Sequence, residues 1–230
     1  MKESPQAYTP YTEIAPELGI EQGACLLLTS DILRLAVKAR KNEKRFYIDA
    51  FIDSFIDIIG PQGTLLIPAF NFDLENKDRY SMLETTPMTG SLAVAAMKRK
   101  DFKRTQNALH SFYVYGKDAE HLAGLDNKSS FGANSPFAYL MEKNAFMLFV
   151  GTSIAEAMTF THFVEESLKV RYRKYKTLRL HYTDTAGEES EKKFMLYAKK
   201  PGYTMVLEKL QEKLMDHGVE VKEFNGVKFY

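Results

Sequence analysis

The chain of 230 residues has no tryptophan and a single cysteine, Cys25. One cysteine excludes an intramolecular disulfide and any multi-cysteine metal site. Set in the apolar run ACLLLTS, it reads as a buried thiol rather than a nucleophile. Neither sign of charge dominates: 31 Lys and Arg stand against 30 Asp and Glu, so no global field argues for nucleic acid or a membrane surface. Long apolar runs are missing too, and nothing approaches the ~20 residues of a membrane helix. The opening MKESPQAYTP has no apolar core of the signal-peptide kind, so the expectation is a soluble protein of a reduced, cytoplasmic compartment. GxGxxG, GxxxxGK, GxSxG and HExxH are all absent. Nucleotide hydrolysis, simple dinucleotide redox chemistry, serine hydrolysis and zinc proteolysis thereby lose support. No internal repeat or low-complexity linker divides the chain, and one domain over 1–230 is expected.

What is present is a series of short apolar runs alternating with helical periodicity. ACLLLTS (24–30), GTLLIPAF (63–70), HSFYVYG (110–116) and AFMLFVG (145–151) have strand length and turn-forming neighbours. Between the first two, Ile32, Leu33, Ala36 and Val37 keep helical spacing up to the polar break KNEK (41–44). Phe46, Tyr47, Phe51, Phe55, Ile58 and Ile59 then recur at three and four until Gly60-Pro61. Further helices are expected over 89–97, 117–123 and 137–143, with the basic run KRKDFKR (98–104) after the first of them. This alternation predicts an α/β fold with a mixed, mainly parallel central sheet flanked by helices. Residues 1–18 are polar, carry Pro5, Pro10 and Pro16, and read as a surface arm. Residues 71–88 form a polar connector of the length that often has a function. From 175 to 230 the pattern becomes antiparallel. KTLRLHYTD and KKFMLYA make one hairpin, and 204–217 an amphipathic helix on Met205, Leu207, Leu210 and Leu214. VEVKEF-NG-VKFY makes a second hairpin about a type I′ turn at Asn225-Gly226.

Three polar groups remain once the core is set aside. After AFMLFVG come Gly-Thr-Ser, a capping-box pair in Ser153 and Glu156, and a helix carrying His162. Glu165 and Glu166 follow at i+3 and i+4, so either carboxylate is placed to reach the imidazole. A neutral imidazole accepts a proton near neutral pH, and a carboxylate on its second nitrogen fixes the tautomer and stabilises the imidazolium. The plainer reading is a histidine and two solvated acids on an amphipathic helix. The second group is Thr86, Thr89, Gly90, Arg104, Thr105 and Ser111: hydroxyls around a glycine with one guanidinium, suited to an extended, partly anionic ligand such as a pantetheine-pyrophosphate. Ordinary helix capping and a solvated basic face explain the same residues. The third is FNFD (70–73), where Asp73 beside aromatics is suited to a cationic substrate. RYRKYK (171–176), four cations in six residues, reads as a solvated face.

Taken in order, these pieces resemble the aminoglycoside 3-N-acetyltransferase family. The matching segments are GPQGTLLIPAFNFD (60–73), TPMTGSL (86–92), KRTQNALHSFYVYG (103–116), FGANSP (131–136) and LFVGTSIAEAMTFTHFVEE (148–166). The resemblance spans about residues 17 to 215. It implies an α/β fold distinct from the GNAT type, with acetyl-CoA as co-substrate and an amine as acceptor. The family's T-x-x-H-x-x-E falls on Thr159, His162 and Glu165, which makes His162 the catalytic base and Glu165 its orienting acid, with Thr159 toward substrate. By the same resemblance Ser30, Thr86, Thr89, Gly90, Arg104, Thr105 and Ser111 are expected at acetyl-CoA, and Asp73 and His110 at the acceptor. Two departures stand out. Thr29-Ser30-Asp31 occupies the place of the family's His-Ser-Ser, and the run Arg104 to Ser111 lacks its His-Pro pair. They point to a divergent branch, more like acyltransferases of amino sugars in surface-polysaccharide pathways than antibiotic-resistance enzymes. The expected chemistry is direct attack of the amine in a ternary complex, with no metal, nucleic acid or membrane insertion, and with self-association left open. The alternative is a non-catalytic member that keeps the fold to bind a ligand or partner.

Overall fold

The computed structural model describes residues 7–43 and 45–230. Strand β1 (Cys25–Ser30) leads into helices α1 (Leu33–Glu43) and α2 (Ile48–Ile59), then strand β2 (Thr64–Phe70). After β3 (Arg79–Ser81) come α3 (Ser91–Met97), β4 (Lys103–Arg104) and β5 (His110–Gly116). Helices α4 (Ala119–Ala123) and α5 (Pro136–Glu142) precede β6 (Phe146–Val150), α6 (Ile154–Ala157) and α7 (Phe160–Ser167). The chain closes with β7 (Arg173–Thr183), β8 (Glu189–Lys199), α8 (Glu208–Asp216), β9 (Lys222–Phe224) and β10 (Val227–Phe229).

The main sheet has the order β4-β5-β2-β1-β6-β10-β9. β1 pairs in parallel with β2 and β6, and the outer strands pair antiparallel. The expected mixed sheet is therefore present, with its parallel part at the centre. All of β2 is buried because both faces of the sheet are covered, which is why it reads as an unbroken apolar run. Alternate residues serve different cores: Leu26, Leu28, Leu65 and Ile67 face α1 to α3, while Leu27, Leu66 and Phe70 join Phe131, Phe137 and Leu140 on the other side. In α2 the three-and-four spacing puts Phe51, Ile52, Phe55 and Ile59 into the first of these cores, with no exposed surface. A second sheet, β3-β7-β8, packs on its own apolar cluster around Tyr80, Leu180, Tyr182 and Phe194.

Several local expectations change. Residues 1–6 of the proposed arm lie outside the described residues, but from Tyr11 onward the segment belongs to the core. A 3-10 turn at Ala15–Leu18 turns Ile14, Ala15 and Leu18 inward, so spacing outweighs the polar composition. The connector 71–88 is not irregular. It holds a 3-10 turn at Phe72–Asn76 and the strand β3, whose parallel pairing with β7 buries Tyr80 against Tyr182. The C-terminal hairpin turns at Asn225 and Gly226, both with positive φ, as a type I′ turn requires. It then joins the main sheet, with Phe229 opposite Val150. Helix α8 buries none of its residues, and its apolar side faces a groove rather than a core.

Among the described residues no helix is long and apolar enough to cross a membrane. The parallel strands end together at Ser30, Phe70 and Val150, and that edge carries the site.

Candidate active site

A cavity of about 250 Å³ opens at the carboxyl ends of β1, β2 and β6, the position where open α/β sheets hold ligands. Ser30, Asp31, Phe70, Phe72, Thr89 and Thr159 are among its walls. Its floor depends on a close approach of two strand ends. The Asp31 amide donates to the Val150 carbonyl at 2.8 Å. Gly151 follows with φ +67, and a Cβ there would lie 2.2 Å from the Asp31 carbonyl oxygen, so only glycine fits. On the β2 side the Thr89 hydroxyl accepts from the Phe70 amide at 3.2 Å and donates to the Pro68 carbonyl, pinning the turn that ends in Gly90. Gly90 opens α3 facing the Ser30 carbonyl, while Thr86 is exposed on the turn outside the cavity.

Beyond the cavity the chain enters α6 through a complete capping box, Ser153 with Glu156, and then α7. His162 and Glu165 lie on neighbouring turns of α7, with Nδ1 2.8 Å from Glu165 Oε2. Glu166 points elsewhere. It accepts from the Ser129 hydroxyl at 2.7 Å and from the Tyr175 hydroxyl at 3.1 Å, fastening the loop before α5. Two residues from the basic run join the pair. The Tyr172 hydroxyl donates to Glu165 Oε1 at 2.7 Å, and Arg173 Nε approaches Glu165 Oε2 to 2.7 Å. That Nε contact is off the hydrogen-bonding direction, so it acts as an ion pair. Arg173 Nη2 lies 2.9 Å from His162 Nδ1.

Burial lowers the proton affinity of His162, Glu165 raises it, and the Arg173 charge lowers it; the balance is below the ordinary imidazole value. These surroundings favour the neutral imidazole. The tautomer with its hydrogen on Nδ1 donates to Glu165 and leaves on Nε2 the lone pair a base needs, whereas the tautomer with its hydrogen on Nε2 accepts from Arg173 Nη2 at Nδ1.

His110, at the start of β5, is close but serves differently. Its ring packs 4.9 Å from Phe70 and 4.6 Å from Phe131, and Phe131 in turn lies 5.3 Å from His162. Its Nδ1 is buried and has no hydrogen-bond partner among the described residues. Burial, with the nearby His162 as a second cause, pushes its pKa down to about 3. Arg104, Thr105 and Ser111 are not among the walls of this cavity and are engaged within the protein. Arg104 Nε donates to the Ser111 hydroxyl at 3.1 Å and Nη1 to the Thr85 carbonyl at 2.7 Å, with the guanidinium over the rings of Tyr80 and Tyr113. The Thr105 hydroxyl accepts from the Phe112 amide, and the Ser111 hydroxyl donates to the Ala69 carbonyl. The expected phosphate-binding group is thus an internal brace, because β4 and β5 turn these side chains under the β3 connector. Asp73 is paired with Lys77 one turn on, while Phe72 beside it reaches the cavity wall.

Sequence reasoning missed Tyr172 and Arg173. Arg173 is out of phase with the inward Leu178, Leu180 and Tyr182 of β7, so alternation offered no cue. The available signal was the pair Glu165-Glu166: both are buried, and buried acids call for a partner. On the far side of Glu165 and Tyr172, a groove of about 780 Å³ runs between α7 and α8, walled by Val164, Leu168, Met205 and Leu210. Met158 and Phe160 wall both spaces. Among the described residues, no group of three or more His, Cys, Asp or Glu is placed to hold a metal ion.

A family model described as aminoglycoside 3-N-acetyltransferase matches residues 36–227. Among solved structures, sisomicin-bound AAC-VIa is similar with TM-score 0.78 and 14% identity, covering 97% of this chain and 92% of that one. The YokD protein from Bacillus subtilis is similar with TM-score 0.76 and 16% identity, covering 96% and 91%. The binary complex of AAC-IIIb with CoASH gives TM-score 0.75 and 17% identity, covering 97% and 91%. No curated protein sequence matches the chain. At such identities the structural likeness speaks for the fold.

Proposed function

The chain belongs to the aminoglycoside 3-N-acetyltransferase family, and from that premise we propose that it transfers acetyl from acetyl-CoA to the amine of an amino sugar, with His162 as general base oriented by Glu165. The observation that carries the assignment is the imidazole held 2.8 Å from Glu165, its neutral form favoured by burial and by Arg173, on the helix that follows Thr159 of the cavity wall.

An amine is mostly protonated in water and has no lone pair with which to attack a thioester. His162 Nε2 removes a proton, directly or through one water, while the Nδ1 hydrogen stays on Glu165. The freed nitrogen forms its bond to the acetyl carbon and the C–S bond breaks; the departing thiolate takes the proton from the imidazolium, and the acylated nitrogen gives up its second proton to the regenerated imidazole and from there to solvent. Attack is direct. Cys25, the only cysteine, is at the start of β1 with its thiol pushed up to about 11 by burial, which supports a mechanism without an acyl-enzyme. The thioester arm is assigned to the cavity bordered by Ser30, Thr89 and Thr159. The acceptor amine is assigned to the His162 side.

A thiol-release assay with acetyl-CoA against free and nucleotide-linked amino sugars and aminoglycosides tests this reading. Transfer to at least one amino sugar is expected. His162→Ala should lower kcat/KM by about a hundredfold or more. Thermal stability and acetyl-CoA affinity should persist in that variant. Wild-type turnover by His162→Ala overturns the assignment of the base. Absence of transfer to every amine, with no acetyl-CoA binding by calorimetry, favours the non-catalytic alternative.

A further inference from the structure

We propose that Arg173 is a positioning residue for this reaction: it neutralises Glu165 so that the carboxylate orients His162 without drawing a proton onto it. The inference rests on the reading of His162 as base.

Arg173 is the first residue of β7, and its side chain is only 6% exposed. Nη1 donates to the Tyr197 carbonyl on β8 at 2.8 Å, and Nη2 is 3.0 Å from Met205 Sδ. The guanidinium is thereby held from two sides and cannot swing away from the pair it touches. Nε stands 2.7 Å from Glu165 Oε2, the same oxygen that His162 Nδ1 reaches at 2.8 Å. One carboxylate oxygen is thus shared by a permanent cation and an imidazole.

That sharing solves a problem built into a buried histidine and carboxylate. Left alone, a buried carboxylate recruits the nearest counter-charge, and a neighbouring imidazole supplies it by taking up a proton. The ring is then an imidazolium at rest and has no base to offer. With Arg173 in place the carboxylate already has its cation, and an imidazolium would be a second positive charge 2.9 Å from Nη2. In the tautomer that donates Nδ1–H to Oε2, orientation is retained while resting protonation is opposed.

The other groups around His162 do not supply this effect. Tyr172, from the chain entering β7, gives a neutral hydroxyl to Glu165 Oε1. His110, from β5, lies across the Phe131 ring and is itself neutral. Glu166, on the same helix as His162, is engaged by Ser129 and Tyr175. The direction of the Arg173 contribution to His162 agrees with this account.

Two variants and two readouts test it. In Arg173→Met, the His162 imidazole resonance, assigned by comparison with His162→Ala, should titrate at least one unit higher than in the wild type. The acid limb of kcat/KM should move up by the same amount, so that lost activity returns at alkaline pH. Arg173→Lys keeps the charge without the fork and should restore the acid limb while recovering only part of kcat. An unchanged His162 titration in folded Arg173→Met overturns the proposal, as does a loss of rate equal at every pH. If the Met variant does not fold, the comparison is made between Arg173→Lys and wild type, and a His162 titration in Arg173→Lys that moves up by a unit overturns it. The NMR titration needs no turnover. A shifted His162 in a protein that acetylates nothing leaves the electrostatic inference standing and removes the catalytic one.

Discussion

Two histidines border one aromatic cluster, and the surroundings set them to different tasks. His162 keeps a carboxylate partner and leaves 26% of its side chain exposed, so it can exchange a proton. His110 is enclosed by Phe70 and Phe131 with Nδ1 unpartnered, so it can only remain neutral. The consequence for stability has a definite sign. The native state of His110 does not bind a proton until about pH 3, whereas the unfolded chain binds one near the ordinary value of 6.5. Its contribution is therefore fully present above pH 6.5 and declines as pH falls from 6.5 toward 3. By pH 5 the loss is on the order of 2 kcal/mol. Urea unfolding at pH 7.5 and 5.0 should show this extra acid sensitivity in the wild type and lose it in His110→Phe, whose ring suits the cluster. Equal acid sensitivity in both proteins would assign the effect to other groups.

At the scale of elements, the site depends on how closely β1 and β6 come together at their carboxyl ends. The capping box of α6 and the glycine before it fix where α7 begins, and α7 carries both His162 and Glu165. Gly151→Ala would hold a side chain at φ +67 and press it against the Asp31 carbonyl. The left-handed strain alone costs about 1–3 kcal/mol. Relief requires β1 and β6 to part, which displaces Ser30 and Thr159 across the cavity. Chemical denaturation should show the stability loss, and the same sample should turn over more slowly. A variant as stable and active as wild type would mean the two strand ends are not constrained as described. The Arg104 brace belongs to this scale too. It ties β4 and β5 to the connector carrying β3 through hydrogen bonds to Ser111, Met82 and Thr85.

For the molecule as a whole, the last hairpin completes the main sheet rather than trailing from it. Val227 and Phe229 are buried in the large core that also contains Leu28, Leu148 and Phe55. Phe229→Ala should destabilise the protein by about 3–5 kcal/mol, as for other fully buried aromatics. A urea midpoint unchanged in that variant would show the hairpin to be dispensable.

The sequence by itself determined the alternation of buried strands and amphipathic helices, because burial on both faces leaves continuous apolar runs such as β2 and three-and-four spacing leaves one such as α2. It also placed His162 and Glu165 one turn apart, since helical geometry is local. Only the tertiary structure decided between Glu165 and Glu166 on physical grounds, because the answer depends on Ser129, Tyr172, Arg173 and Tyr175, which come from other segments. It decided as well that Arg104 is a brace and that Arg173 pairs with Glu165 and reaches His162. Both are arginines in basic runs with nothing in their immediate neighbours to separate them. What separates them is which sheet each strand joins, and that is settled by pairing between residues far apart in the chain.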